Sequence, residues 1–402
     1  MTDPQSDSNS QSKKDLSTAS GAPRVAVLVD TATGWGRRLI QGVFQYGHRH
    51  GRWHLDVRAR YPQGEVRIPE GWTGDGIIAR LATPEIVEHV KSFGVPYVNV
   101  SSIASDKRAP MITSDKRAIA EIATQHFLER GFSHFAYSGE DDLPYVKAQR
   151  EDFEAEVRKH GFEVITDPDP VSHDPAANYA ELMQHLVEWV KALPKPCAVF
   201  SFGTQRGVDL LEACRMADVV VPHEVAVLGG DYDDVLCEAC DPPMSAVVTA
   251  SQRIGYEAAE VLSRMMQGEE VEARKTVLAP VNIHSNPSTN TYAVKDKNLI
   301  TAMQFIERNA FEPIQMEDVL EQVPMSRRTL ERHFKDAFGK TPAEEIRWRR
   351  VHQARKLLAE TNMDLEDVAK ASGLNSYAYL SQVFRKMLDE TPAGYRKRMR
   401  DV

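Results

Sequence analysis

The chain of 402 residues is 42% hydrophobic and 27% charged, with a net charge of -9, as expected of a globular protein of two or three domains. No apolar run approaches the ~20 residues of a membrane span, and the first 22 residues lack the apolar core of a signal peptide. Membrane insertion and secretion are therefore set aside, and a cytoplasmic location is expected.

Residues 1–22 are polar and rich in Ser, Asp and Gln, the composition of a disordered tail. From Arg24 to about Ile283, short apolar runs read as buried strands: "RVAVLVD", "GIIA", "YVNV", "HFAYSG", "CAVFSF", "EVAVLGG" and "SAVVTA". Between them lie longer stretches with helical spacing, such as "WGRRLIQGVFQYGHRH" and "DKRAIAEIATQHFLERG". Alternation of this kind predicts βαβ units and parallel sheets covered on both faces, and the length predicts two lobes. Residues 284–295, "HSNPSTNTYAVK", have little to bury and predict a linker, placed at 286–297. Beyond it only helices are expected.

Of the four cysteines, Cys237 and Cys240 have metal-ligand spacing, but no second Cys or His pair accompanies them, so reduced thiols and no metal are expected. "GWGRRL" lacks the third glycine of a dinucleotide loop because Leu39 stands there, and no other cofactor motif occurs. No nucleophile, base or metal cluster supports an enzyme. Residues 295–402 hold 20 Lys+Arg against 17 Asp+Glu, while the remainder carries a balance of -12, so only the C-terminal part is suited to a polyanion.

That part repeats itself. "SRRTLERHFKDAFGKTP" from Ser326 returns as "SYAYLSQVFRKMLDETP" from Ser376 at an offset of fifty residues. Each copy opens on a serine N-cap and carries one apolar face, Leu330, Phe334, Ala337 and Phe338 in the first and Leu380, Val383, Phe384 and Met387 in the second. A short helix precedes each, at 316–323 and 365–372, which makes two helix-turn-helix units. The outward faces carry Arg327, Arg328, Glu331 and Arg332 in one unit and Tyr377, Ala378, Ser381 and Gln382 in the other. Such side chains pair with base edges in the major groove. A single helix over 342–361, with an inner stripe of Val351, Ala354, Leu357 and Leu358, would hold the readers ~34 Å apart on double-stranded DNA. Arg347, Arg349, Arg350, Arg396, Lys397, Arg398 and Arg400 are expected at phosphates.

Residues 299–400 resemble the DNA-binding domain of the AraC family of transcription regulators, with "RVHQARKLL" and "DVAKASGLNSYAYLSQVFRKMLDETPAGYR" carrying the likeness. Leu374 and Asp389 depart from the Phe and Gly usual in that family. The resemblance implies that the outward residues of each second helix read bases of an operator.

The front of the chain, roughly residues 24–285, resembles the effector domain of LacI-type regulators, a fold shared with periplasmic sugar-binding proteins. "ITSDKRAIAEIATQHFLERGFSHFAYSGED", "AQREDFEAEVRKHGF" and "EVAVLGGDYDD" carry this likeness. It implies a small sugar held between two lobes, with Arg150 donating and Asp231 accepting. Trp35 is a candidate to stack on the sugar, Arg37 to donate, and Thr204 follows Gly203 where the family has a polar pair.

The fold class expected is a two-lobed, doubly wound α/β sensor of the periplasmic-binding-protein kind over residues 23–285, followed by an all-α double helix-turn-helix domain over 298–402. This is the arrangement of bacterial xylose operon regulators. Resemblance to that family implies D-xylose as ligand, a homodimer, and RNA polymerase as a further partner. The alternatives are a regulator of the same architecture sensing another small molecule or a protein, and a doubly wound enzyme with a DNA anchor.

Overall fold

The computed structural model describes residues 21–57, 67–104, 106, 108–139, 144–167, 179–294 and 296–400, with the backbone alone for Glu360 and residues 398–400. The expected tail lies almost wholly outside the described residues.

The elements in chain order begin with β1 (Arg24–Leu28), α1 (Gly34–Arg49), β2 (His54–Val57), β3 (Gly76–Ala79), α2 (Pro84–Lys91), β4 (Tyr97–Asn99) and β5 (Met111–Ser114). Then come α3 (Lys116–Leu128), β6 (Phe135–Ser138), α4 (Pro144–Lys159), β7 (Val164–Thr166), α5 (Tyr179–Ala192), β8 (Cys197–Ser201), α6 (Gln205–Met216) and β9 (Val225–Gly229). The α/β part closes with α7 (Leu236–Ala239), β10 (Ser245–Val248), α8 (Ser251–Met266), β11 (Lys275–Leu278) and β12 (Asn282–His284). Seven helices follow among the described residues: α9 (Lys297–Asn309), α10 (Met316–Leu320), α11 (Arg327–Phe338), α12 (Pro342–Glu360), α13 (Leu365–Ala371), α14 (Tyr377–Leu388) and α15 (Pro392–Arg400).

The chain divides into two compact units. The first runs to Thr113 and takes in Ser251–Leu278. Its sheet has the order β11-β5-β4-β3-β1-β2, with β1 parallel to both β2 and β3. Residues 25–28 and 76–79 are buried without a break, as strands covered on both faces must be. Helices α1 and α8 cross so closely that a Cβ on Gly42 would stand 1.8 Å from the Gln252 carbonyl oxygen, and one on Gly255 2.0 Å from that of Leu39.

The second unit comprises Ser114–Ala250 and everything from Ala279 onward. Its sheet, β12-β10-β9-β8-β6-β7, repeats the order of the first, with β12 antiparallel to β10 and β6 parallel to both β7 and β8. Period-two alternation sends Cys197 and Val199 of β8 into a core with Leu186, Val190 and Leu210, and Ala198 and Phe200 into another with Phe127, Phe135 and Phe153. The stretch expected to be a linker with little to bury is corrected here. Ser288 and Thr289 are fully buried, with Ser288 Oγ donating to the Val227 carbonyl (2.6 Å) and Thr289 Oγ1 within 2.9 Å of His126 Nε2. Their hydroxyls are answered by the neighbouring strands and α3, so polar composition did not mean exposure.

The seven C-terminal helices hold two small cores. Leu299, Ile306, Val319, Leu330, Phe334 and Ile346 form one. Val351, Leu358, Val368, Leu374, Leu380 and Phe384 form the other. Helix α12 supplies both, starting on a capping box between Thr341 and Glu344 with Pro342 in its first turn. Its 19 residues make a rod ~28 Å long.

Candidate nucleic-acid interface and sensor sites

Both second helices start as their serines dictate. Ser326 Oγ accepts from Thr329 N–H and Ser376 Oγ from Tyr379 N–H. Their apolar faces are buried at Leu330, Phe334 and Phe338 and at Leu380, Val383 and Phe384, whereas Met387, expected on the same face, is exposed. Arg328, Arg332, Ala378 and Gln382 reach the surface in part or whole, as do Arg327, Glu331, Tyr377 and Ser381. The expected readers thus face outward in both units. Arg327 is not loose: its Nε donates to Glu331 Oε1 one turn on (2.9 Å), and its Nη1 lies 3.4 Å from Glu317 Oε1 on α10. Arg332 Nη2 meets His333 Nε2 at 3.1 Å.

Two arginines expected at phosphates have other work. Arg350 reaches from α12 to the chain after α9, with Nε donating to the Ala310 carbonyl (2.6 Å) and Nη2 to that of Glu312 (2.7 Å). Arg349 is paired inside the protein, 2.5 Å from Glu345 and 2.9 Å from Glu307. Both expectations are corrected: a guanidinium whose donors are engaged by its own chain is not presented to phosphate. Arg347 is partly exposed beside Arg350 on a small groove lined by Ile314, Met316 and Tyr379. Arg396 is half-buried, and Lys397 is exposed. The side chains of Arg398 and Arg400 lie outside the described residues.

In each α/β unit the chain order reverses direction between the central strands, β1 and β3 in one and β6 and β8 in the other. Ligands of doubly wound sheets bind outside the carboxyl ends of strands at that switch. In the first unit Trp35 and Arg37 sit on the helix that follows β1. Gly36 is required there, because a Cβ would lie 1.9 Å from the Asp30 carbonyl oxygen. Trp35 has the Arg80 guanidinium over its ring, 5.8 Å from the centroid, and Arg37 Nη1 donates to the carbonyls of Thr31 (3.2 Å) and Ala32 (3.1 Å).

In the second unit the structure brings Thr204 and Asp231 together. Thr204 Oγ1 donates to the Asp231 carbonyl (2.7 Å), and Asp231 Oδ1 accepts from Thr249 Oγ1 (2.7 Å). Arg150 is directed along its own helix, donating to Glu154 Oε1 at 2.8 Å. Its neighbour Gln149, which sequence reasoning passed over, reaches the carboxyl end of β9 at Gly230. Gln149 is only 6% exposed, its Nε2 has no hydrogen-bond partner among the described residues, and that atom would lie 2.9 Å from a Cβ on Gly230. A buried amide donor with nothing to donate to is costly unless a ligand or water answers it. The signal for Gln149 is the register of α4: Val146, Gln149, Phe153 and Val157 form its buried stripe, with Arg150 half-buried beside it.

Two switch-point sheets carrying polar groups, followed by a tandem of helix-turn-helix units on a common rod, define a class. The chain is a DNA-binding transcription regulator in which a periplasmic-binding-protein-like sensor carries an AraC-type head. Residues 124–289 match the model of the periplasmic binding protein-like domain and residues 319–398 that of a helix-turn-helix domain. More particularly, the chain is 27% identical to the xylose operon regulatory protein of Haemophilus influenzae, over 93% of this chain and 98% of that protein. It is equally similar, at 27%, to the xylose operon regulatory protein of Escherichia coli K12, over 93% and 96%. A solved structure of a xylose-binding transcription activator aligns with 94% of this chain and 98% of its own, at 25% identity and a TM-score of 0.60. A LacI family regulator from Enterococcus faecium with bound ribose shares the sensor fold, at 17% identity and a TM-score of 0.53 over 68% of this chain and 99% of its own.

Proposed function

We propose that this protein is a sugar-responsive regulator of a pentose-utilisation operon, with D-xylose as its ligand. The observation that carries the reading is collinearity: the likeness to xylose operon regulators spans 93% of the chain, sensor and head together. The sensor's switch point adds chemistry that suits a polyol. The Gln149 amide donates, the Asp231 carboxylate accepts, and Thr204 lies beside Asp231, which matches hydroxyls that both give and take hydrogen bonds. Trp35, Arg37 and Arg150 complete the set of candidate ligand residues.

In this reading the head binds an operator as a homodimer, reads bases with α11 and α14, and contacts RNA polymerase at the promoter. The chain performs no catalysis. A sugar changes operator occupancy only through its differential affinity for two arrangements of the protein.

The test is footprinting and gel-shift titration of the promoter regions flanking the protein's own gene, with and without D-xylose, L-arabinose and D-ribose. D-xylose alone should change operator affinity. It should also raise apparent stability by ~2.7 kcal/mol at a hundredfold excess over its dissociation constant. Operator binding that is indifferent to every sugar would defeat the sensor assignment while leaving the head's DNA binding intact.

A further inference from the structure

The sensor portion of the second unit meets the head through a buried set of charges. Glu129 caps the C-terminal end of α3, and its Oε1 lies 3.4 Å from Lys340 Nζ, in the turn between α11 and α12. Lys340 also sits 2.9 Å from Glu345 Oε2 and 4.4 Å above the centre of the Trp348 ring. Glu345 passes the chain of contacts to Arg349 (2.5 Å), and Arg349 to Glu307 on α9 (2.9 Å). The Lys340, Glu129 and Glu345 side chains are 14%, 11% and 2% exposed, so water screens little of this.

Around the charges the backbones nearly touch. Ala293 N–H donates to the Arg130 carbonyl (2.8 Å), and Arg130 Nε donates to that of Thr289 (2.9 Å). A Cβ on Gly131, at φ +76°, would lie 2.8 Å from Val294 and 3.1 Å from the carbonyl oxygen of Ala337 on α11. Tyr292 packs edge-on against Phe338 at 5.7 Å. Every one of these contacts is with the first helix-turn-helix unit or the segment leading to it.

We infer that the Glu129–Lys340–Glu345 cluster is the coupling joint of the regulator, tying the first reader to the end of α3 so that a change in the sensor is delivered to α11. Three properties fit the role. The cluster joins the two parts at buried side chains. Within it, Lys340 is the group that bridges carboxylates from both sides. It follows the αL cap Gly339 and immediately precedes the capping box that starts α12, so displacing it displaces α11 and α12 together.

The inference rests on the sugar-sensor reading for its biological consequence, and its test separates the two. Glu129→Gln keeps the shape and leaves Lys340 paired to Glu345. Lys340→Arg keeps the bridging charge. Both are compared with the unaltered full-length protein in two measurements.

The first is the ratio of operator affinities with and without D-xylose. Effectors ordinarily change affinity by ~5–150-fold. E129Q should bring that ratio to within about twofold of one, whereas K340R keeps it near the original value. A ratio unchanged in E129Q, or lost equally in K340R, overturns the inference.

The second measurement needs no sugar. Amide hydrogen exchange at Ala293 and Val294 should rise ~10-fold in E129Q because local opening of the joint becomes easier. Unchanged exchange there overturns the inference as well. If the unaltered protein ignores every sugar, the ligand assignment has failed, and exchange at Ala293 still decides the joint.

Discussion

Arg350 Nε donates to the carbonyl oxygen of Ala310 at 2.6 Å, across a separation of forty residues in sequence. Its Nη2 takes the Glu312 carbonyl as well, so one guanidinium fork closes the end of α9 onto the middle of α12. The last carbonyls of a helix have no partner of their own, and here a distant arginine answers them. Arg350→Ala should therefore destabilise the first helix-turn-helix unit by ~1.5–3 kcal/mol, the range for hydrogen bonds to charged groups. The milder substitution Arg350→Lys, which keeps the charge but lacks the planar fork, should retain less than half of that stabilisation. Denaturant unfolding followed in the head checks it. A variant of full stability whose operator binding loses salt dependence would return Arg350 to the phosphate role.

Glu331 accepts from Arg327 and is partly exposed, and base reading is the role proposed for it. Its exposed ion pair with Arg327 contributes little to stability, because water screens a surface pair of this kind. Glu331→Ala should consequently leave the unfolding free energy within ~0.5 kcal/mol of the original and relax preference at one base pair by ~1–3 kcal/mol. Gln382→Ala should do the same at a position about one helical turn away along the DNA. Binding selections on randomised operators measure both. A uniform loss across all sequences would assign these residues to affinity instead of readout.

Much of this architecture was legible in the sequence, for identifiable reasons. Seven of the strands are apolar runs, and the repeat from Ser326 to Ser376 shows both second helices with their caps. The interior strand β5 and the edge strands β2, β7, β11 and β12 are not legible because they are short and mostly only partly buried, so nothing in their composition forces period two. The residues 284–295 misled for the opposite reason: Ser288 and Thr289 are polar yet buried, since their partners come from β9, β10 and α3 and lie far off in sequence. Gln149 is hard to single out because an amide carries no charge, although the helical stripe through Val146, Phe153 and Val157 includes it. Arg349 and Arg350 looked like surface cations because the sequence does not show Glu307 or the Ala310 carbonyl waiting for them.

Helix α11 ends on Gly339 at φ 74°, and its twin α14 ends on Asp389 at φ 52°. Both close the helix by donating N–H to the carbonyl four residues back, that of Lys335 at 2.8 Å and that of Arg385 at 2.9 Å. Left-handed backbone is strained for a residue with a Cβ, though Asp tolerates it better than most. Asp389→Gly should stabilise the second unit by ~0.5–1 kcal/mol after the greater freedom of glycine in the unfolded chain is subtracted. Asp389→Val, β-branched at the same angle, should destabilise it by at least ~1 kcal/mol. Thermal unfolding of the three proteins under identical conditions orders them, and an order with valine above aspartate would refute the strain argument.

Two histidines make the stability of the second unit depend on pH. His352 lies stacked on Trp348, ring centres 3.9 Å apart, where burial, reinforced by the positive charges of Arg355, Lys340 and Arg349, lowers its pKa to about 3. His126 is held well below its ordinary value, first by burial and then by Arg130. Both are neutral in the folded protein, while the unfolded chain protonates them near ~6.5. The unfolded state therefore binds more protons below that pH. Stability is full above ~6.5 and falls as acid is added, with a slope of up to ~1.4 kcal/mol per pH unit for each histidine. Glu129, raised above its usual value chiefly by burial, works in the opposite sense because its folded form holds a proton more readily. The clean measurement is thus a difference. His352→Phe keeps the aromatic stack and removes the proton site, so between pH 7 and 5 its stability should decline with roughly half the slope of the unaltered protein. Urea midpoints at closely spaced pH values provide the curves. Parallel lines for the two proteins would mean that the His352 ring is not protonated on unfolding in this window, contradicting its half-buried stack on Trp348.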